Sequence, residues 1–291
     1  MSLRIATAPV TWGVWERTVD RDDLVPPAEL LGLAAALEYR AIELGPLGYF
    51  GDDAASVRGT LEPFEIALVG AFVPLRLTEP ADFEELDRVV SIVAGAGTDA
   101  VVLLADAGRP DGVGGRPLRG RAFERAVAVL TEAAERCRTS GIPAALHPES
   151  GSYIESPAEV EAFLERTDLG VCLDTGHVTV GGGDAAAVAR DWADRLVHLH
   201  LKDVDPAVLA RVRARELGLD DAWAQGIFCA FGAGEVDLAG VLAHVGDFAG
   251  WTVLEQDRIA VRRDDLAEVA AVAGQNLAYV RRLADVSSAA R

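Results

Sequence analysis

Residues that can bind a cation stand at the ends of several short apolar runs in the second half of the chain. Four of them belong to successive runs: Glu149, Asp174, His200 and Glu255. Neighbouring β-strands lie about 4.8 Å apart, so side chains at the ends of adjacent strands can converge on one point. Three carboxylates would repel one another at that range, and a divalent cation removes the repulsion. Mixed carboxylate and imidazole ligands suit Mn, Co, Mg or Zn without choosing among them.

Each of these residues also has an ordinary structural interpretation. Asp174 precedes a Thr-Gly pair, which is typical of a turn. Glu255 can be a solvated strand end, and His200 can be a hydrogen-bonded histidine inside a barrel. All four occur together on successive strands, which favours the metal interpretation. His177 comes three residues after Asp174 and past its strand, so we expect it to contact substrate rather than metal.

The run 196–203 is the most polar of the predicted strands. Alternation places its side chains on two faces, an apolar set of Val197, Leu199 and Leu201 and a polar set of His198, His200 and Lys202. A closed parallel barrel accommodates such a strand, since the apolar face meets outer helices and the polar face lines the mouth. Lys202 is the only lysine of the chain, and an ammonium can act as acid or base where a guanidinium cannot. An ion pair of Lys202 with Glu255 or Asp203 is the alternative.

Short apolar runs alternate eight times with longer stretches of helical period. The predicted strands are Arg4–Pro9, Arg40–Leu44, Glu65–Val73, Asp99–Ala105, Ile142–His147, Leu169–Leu173, Leu196–Leu201 and Gly250–Glu255. Eight strand–helix units predict an α/β fold, a single-domain (β/α)8 TIM barrel over residues 1–286, followed by a disordered tail at 287–291. Loops Gly108–Gly120 and Asp205–Phe231 follow strands, where we expect them to form walls or a lid over the barrel mouth.

Composition excludes several classes of partner. The formal net charge of −19 repels phosphate backbones, so no nucleic-acid binding is expected. No apolar run reaches about 18 residues and the start of the chain has no signal-peptide pattern, which predicts a cytoplasmic protein without a membrane partner. Cys137, Cys172 and Cys229 lack CxxC spacing, which is typical of reduced thiols rather than a disulfide framework.

Several motifs of the chain resemble one enzyme superfamily over nearly the whole length. The resemblance depends on Asp174-Thr175-Gly176-His177, on the run 198–203 (HLHLKD), on the run 232–237 (GAGEVD) and on Leu254-Glu255. They are similar to the xylose-isomerase-like barrels, which include sugar isomerases, epimerases, inosose dehydratases and endonuclease IV. The N-terminal runs 11–14 (TWGV) and 43–49 (ELGPLGY) look specifically like the inosose dehydratase branch.

The resemblance implies a metal site of one histidine and three acids. It falls on Asp174, His200 and Glu255, with Glu149 as the strand-five ligand and His147 as the second choice. It implies Lys202, His147 and Glu155 as the catalytic acids or bases. Substrate contacts are then expected from Trp12, Glu43, Tyr49, His177, His198 and Asp257.

These residues imply a divalent-metal-dependent lyase, with Mn as the favoured ion, that dehydrates a keto-polyol such as 2-keto-myo-inositol through a metal-stabilised enediolate. The alternative is a keto-sugar isomerase or 3-epimerase that uses the same metal site. A non-catalytic barrel ranks lower because it need not retain converging ligands. An endonuclease IV-like nuclease ranks lower because the negative net charge of the chain opposes DNA binding. The resemblance also implies a homodimer or tetramer that acts on a small keto-polyol or keto-sugar.

Overall fold

The elements alternate between strand and helix along the chain, as the sequence predicts. A computed structural model describes residues 3–246, 248–259 and 261–289. The strands are β1 (Arg4–Thr7), β2 (Ala41–Glu43), β3 (Ala67–Leu75), β4 (Gly97–Asp106), β5 (Ala144–Leu146), β6 (Gly170–Asp174), β7 (Leu196–Leu201), β8 (Asp203–Val204), β9 (Phe228–Cys229) and β10 (Trp251–Leu254). The helices are α1 (Pro27–Ala36), α2 (Ala54–Leu61), α3 (Glu84–Ala96), α4 (Gly120–Thr139), α5 (Pro157–Leu164), α6 (Thr175–Val180), α7 (Ala185–Asp191), α8 (Pro206–Arg213), α9 (Leu219–Ala224), α10 (Leu238–Val245) and α11 (Leu266–Ala289).

Eight parallel strands close into one barrel in the order β1-β10-β7-β6-β5-β4-β3-β2. Their outer faces pack on the helices in the main hydrophobic core, to which β7 contributes Leu199 and Leu201. Inward-facing residues of alternate positions fill the lumen with small apolar side chains, among them Ala6, Ala41 and Ala145. The predicted single-domain TIM barrel is therefore confirmed.

Val197 does not share a face with Leu199 and Leu201, so this part of the alternation argument is wrong. The register between β6 and β7 shifts between Val171 and Cys172, which leaves Val197 as an extra residue in β7. Such a bulge turns the side chain to the other face. Val197 consequently packs in the lumen with Cys172 and its neighbours rather than against the helices.

Four short elements after β6 and β7 were not expected. Helix α6 starts directly at Thr175, and the insertion after β7 contains α9 and a two-stranded antiparallel sheet of β8 and β9. Elements of two to six residues are too short for a periodic pattern to indicate them.

The C-terminal region extends the last helix. The predicted tail at 287–291 stays a prediction, because residues 290 and 291 lie outside the described ranges, while 287–289 continue α11. No described helix is both long enough and apolar enough to cross a lipid bilayer.

Candidate metal centre

Three adjacent barrel strands bring Asp174, His200 and Glu255 together. Asp174 ends β6 and pairs in register with His200 of β7, and Glu255 directly follows β10 on the other side of β7. One ligand atom from each of the three lies within 4.8 Å of the other two. All three side chains are buried, Asp174 completely.

The backbone around Asp174 fixes its carboxylate in place. Oδ1 accepts the amide of His177 at 2.9 Å and so caps α6, which leaves Oδ2 for the cluster. The hydroxyl of Thr175 donates to the carbonyl of Lys202 at 2.7 Å and accepts the amide of Lys202 at 2.8 Å, which ties the ends of β6 and β7 together. Gly176 has to be glycine because a Cβ there would lie 2.6 Å from Lys202 Cβ.

The ammonium of Lys202 occupies the centre of the carboxylates. Nζ lies 2.6 Å from Asp174 Oδ2, 2.6 Å from Glu255 Oε2 and 3.3 Å from Asp257 Oδ1. Burial lowers the pKa of Lys202, but these carboxylates, Asp174 foremost, raise it well above its ordinary value. Lys202 is therefore charged, and it contacts two of the oxygens predicted to bind a metal.

The ion pair of Lys202 with Glu255 was one expected alternative, whereas the pair with Asp203 does not form. The carboxylate of Asp203 instead accepts the backbone amides of Gly232, Gly234 and Val236. The GAGEVD motif thus provides a loop that wraps around a buried aspartate.

Glu43 reaches across the lumen and holds two imidazoles with one oxygen. Oε1 lies 2.8 Å from His198 Nε2 and 3.0 Å from His200 Nε2. Burial raises the pKa of Glu43, but the charge of His200 and the bonds from both histidines lower it below its usual range. Since an ionised carboxylate only accepts hydrogen bonds, both histidines carry their proton on Nε2. Gly70 makes room for this carboxylate, because a Cβ there would lie 2.6 Å from Oε1.

The Nδ1 atom of His200 consequently faces the two carboxylates. It lies 2.9 Å from Glu255 Oε2 and 3.4 Å from Asp174 Oδ2, but it has no hydrogen-bond partner among the described residues. Burial lowers the pKa of His200, but the Cys172 sulfur and the carboxylates of Glu255 and Glu43 raise it well above the usual value. A nitrogen lone pair next to two anionic oxygens requires positive charge, which a proton or a metal ion supplies. The donor set therefore fits a divalent cation.

The two strand-five positions lie at the edge of this group. Glu149 Oε2 lies 3.5 Å from His177 Nε2 and 3.8 Å from His147 Nδ1, and no described group of ligand atoms within 4.8 Å includes Glu149. Burial raises the pKa of Glu149 to about 7. His147 Nε2 is 3.5 Å from Asp174 Oδ2, and burial lowers its pKa to about 4. His147 is thus neutral, and its Nδ1 has no hydrogen-bond partner among the described residues.

His177 presents one defined nitrogen to the cavity. Its Nδ1 accepts the amide of Ser150 at 3.2 Å and lies 2.8 Å from the Ser150 hydroxyl. A backbone amide can only donate, so the ring proton belongs on Nε2, which lies 3.6 Å from Asp257 Oδ2. His177 therefore directs an N–H group toward two carboxylates and toward a ligand beside them.

A cavity of about 500 Å³ opens above the cluster. The predicted site residues that line it are Glu43, His147, Glu149, His177, His200, Lys202, Glu255 and Asp257. Lining residues that sequence reasoning missed are Trp15, Arg17, Phe72, Arg76 and Trp223. Trp223 belongs to the insertion 205–231, which was expected to form a wall over the barrel mouth. That expectation was the sequence signal that could have identified Trp223 as a lining residue.

Five predicted site residues do not line this cavity, namely Trp12, Tyr49, Glu155, Asp174 and His198. Asp174 is fully buried beneath Lys202. Trp12 is fully buried at the end of a 3₁₀ turn, and the hydroxyl of Tyr49 donates to the carbonyl of Val25 at 2.7 Å. His198 lies one layer below, on Glu43.

Glu155 lies in a second cavity, of about 430 Å³, between α5 and the loop before α4. Its carboxylate pairs with Arg109 and accepts the amides of Gly151 at 2.9 Å and Gly114 at 2.8 Å. These contacts tie loops together and hold Glu155 away from the cluster, while its expected acid–base role stays a prediction.

Comparison with known proteins places these residues in a family. A family model described as xylose isomerase-like TIM barrel matches residues 31–283. Rhizopine catabolism protein MocC of Rhizobium meliloti is 30% identical over 308 residues, which cover 95% of this chain and 91% of the relative. Inosose dehydratase of Geobacillus kaustophilus is 27% identical over 272 residues, which cover 88% of this chain and 87% of the relative.

Solved structures share the fold at low identity. An L-ribulose 3-epimerase superposes with a TM-score of 0.71 at 16% identity and covers 99% of this chain and 96% of its own. The IolI protein, solved with a bound zinc atom, superposes with a TM-score of 0.69 at 12% identity and covers 98% of this chain and 99% of its own.

Proposed function

Because the chain belongs to the xylose isomerase-like TIM barrel family, we propose that it is a divalent-metal-dependent lyase that dehydrates a keto-polyol of the inosose type. The observation that carries the proposal is the convergence of Asp174, His200 and Glu255 at the carboxyl ends of adjacent strands. Barrels of this kind place their chemistry there. The likeness to an inosose dehydratase over most of both chains supports the choice of substrate.

Asp174 Oδ2, His200 Nδ1 and a carboxylate oxygen of Glu255 would hold the metal. Glu149 is the further carboxyl on the same rim and is proposed as the fourth ligand, which requires its side chain to turn from His177 toward the cluster. A bound divalent cation would act as a Lewis acid and stabilise negative charge that develops on a substrate oxygen. Mn is favoured, and the zinc of the IolI structure supports an ion of this charge.

The proton movements fall to residues that already line the cavity. His147 is neutral with a free Nδ1, so it is suited to accept the proton next to the substrate ketone. His177 directs its Nε2 proton inward and can donate it to a departing hydroxyl. Lys202 is charged and can hydrogen-bond a substrate oxygen. Loss of that hydroxyl as water after removal of the α-proton completes a dehydration.

A keto-sugar isomerase or 3-epimerase is the second candidate. It shares the removal of a proton beside a ketone, and one observation favours it. Two proton carriers, His147 with a pKa of about 4 and Glu149 with a pKa of about 7, line the same cavity, and such a pair can remove and return a proton at different positions.

One incubation separates the two candidates. The protein is supplied with Mn²⁺ and scyllo-inosose, and the products are followed by mass spectrometry. A product lacking one water supports the lyase, provided that Asp174→Ala protein and chelator-treated protein do not form it. Unchanged inosose, together with interconversion of ketohexoses by the same protein, rejects the lyase in favour of the epimerase.

A further inference from the structure

The cavity is larger than one polyol ring needs. A six-membered polyol ring has roughly twelve non-hydrogen atoms, which at the packing density of a protein interior need on the order of 200 Å³. The cavity measures about 500 Å³. A ring held at the metal cluster therefore leaves room for a second group of similar size.

The remaining space has aromatic walls. Phe228 is buried beside this space without lining it, and its ring lies 5.6 Å from Lys202 Nζ and 6.2 Å from the ring of Trp223. Trp223 in turn contacts Trp15, with 5.2 Å between ring centroids and an edge-to-face angle of 63°. Trp15 donates its indole N–H to the carbonyl of Ile259 at 2.9 Å, which fixes its ring. Rigid aromatic faces suit the C–H face of a saturated ring.

The charges of the outer part favour a neutral, hydroxylated group over an anion. Arg17 is held by Asp220 through two bonds of 2.8 and 3.0 Å, and Arg76 pairs with Glu79 at 3.3 Å. Both arginines in the described lining of the cavity therefore already have a carboxylate partner, which offsets their attraction for phosphate or carboxylate. Glu16 also lines the cavity and has no ion pair among the described residues, so its carboxylate can accept sugar hydroxyls.

We propose that the outer part of the cavity, lined by Trp15, Trp223 and Glu16, binds a neutral sugar ring, so that the natural substrate is a keto-polyol with an O-linked glycosyl group. The substrate class deepens the proposed function and rests on it. A binding site for a second ring can be tested by measuring the affinity of ligands that the protein does not convert.

The test compares two polyols that differ by one ring. Protein supplied with Mn²⁺ is titrated by calorimetry with myo-inositol and with galactinol, which is the same inositol with a galactosyl group. Neither is a ketone, so the outcome does not depend on turnover, and a failed dehydration assay would leave it intact. We expect galactinol to bind about tenfold more tightly, which corresponds to about 1.4 kcal/mol. Equal or weaker binding of galactinol, including no measurable binding, overturns the proposal.

Two variants locate the effect. Trp223→Ala should remove most of the tenfold preference, because the second ring loses its platform. Trp251→Ala is the matched control, since this tryptophan lies at the opposite end of the barrel under Arg4; it should keep the preference. Loss of the preference in both variants, or in neither, contradicts the proposed location. Tighter binding of myo-inositol 1-phosphate than of galactinol would also overturn the choice of a neutral group.

Discussion

Replacement of Lys202 by methionine tests whether its ammonium compensates the charge of the carboxylates that are proposed to bind a metal. The change removes the ammonium that lies 2.6 Å from both Asp174 and Glu255 and leaves these two buried carboxylates without their shared ion-pair partner. Breaking a buried ion pair in this way costs about 3–5 kcal/mol. With 291 residues the entropy of unfolding is about 0.6 kcal/mol/K, so the melting temperature in chelator should fall by about 5–8 °C.

A divalent cation should restore much of this loss, because it compensates the same two oxygens. Thermal unfolding is followed by circular dichroism in chelator and in excess Mn²⁺, and the shift produced by Mn²⁺ should be larger in Lys202→Met than in the original protein. The variant should keep the metal and lose turnover.

Arg109→Met provides the matched control. It removes a second buried cation, which pairs with Glu155 and Glu159 in the second cavity. We expect a comparable loss of stability in chelator, but no extra recovery with Mn²⁺. The reasoning is refuted if Lys202→Met is as stable as the original protein in chelator, or if Mn²⁺ stabilises both cation variants equally.

Three further substitutions probe single contacts. Glu43→Gln should weaken metal binding about 10–100-fold, measured by competition with a chelating dye, because it removes the negative charge of the acceptor that orients His200; an unchanged affinity contradicts that role. Burial raises the pKa of Glu149 to about 7, so in chelator its contribution to stability should be lost as the pH rises from about 4.5 to about 7. Glu149→Gln should remove this dependence from the melting curves, and a persisting one assigns it elsewhere. Glu155→Gln should cost about 2 kcal/mol in denaturant unfolding but retain turnover, and loss of turnover without loss of stability would restore its catalytic assignment.

The barrel and the meeting of Asp174, His200 and Glu255 could be predicted because both follow from strand order. The eight apolar runs predict eight strands, and every one is present. Parallel neighbours bring their carboxyl ends to one rim, so residues at those ends must approach one another. The register of the strands then places Asp174 beside His200, since the two residues are direct pairing partners.

Loop residues could not be placed in the same way, because their direction depends on turns rather than on alternation. Glu155 is six residues past Glu149, but Gly151 adopts a left-handed conformation with φ of 74° between them, and the chain carries Glu155 to the second cavity. A turn also explains why Trp15, and not Trp12, lines the cavity. The 3₁₀ turn Pro9–Trp12 buries Trp12, whereas Trp15 lies beyond it in the cavity wall. The hydroxyl of Tyr49 donates a hydrogen bond to the carbonyl of Val25, and no sequence pattern indicates this contact.

The contact between Glu43 and His200 joins strands that do not touch, because β1 and β10 lie between β2 and β7 in the ring. The orientation of the His200 imidazole is thus set by the width of the barrel as well as by β7. A change on the far wall, for example at Gly70 behind the carboxylate, would therefore move His200 while every residue of the proposed metal site stays as it is.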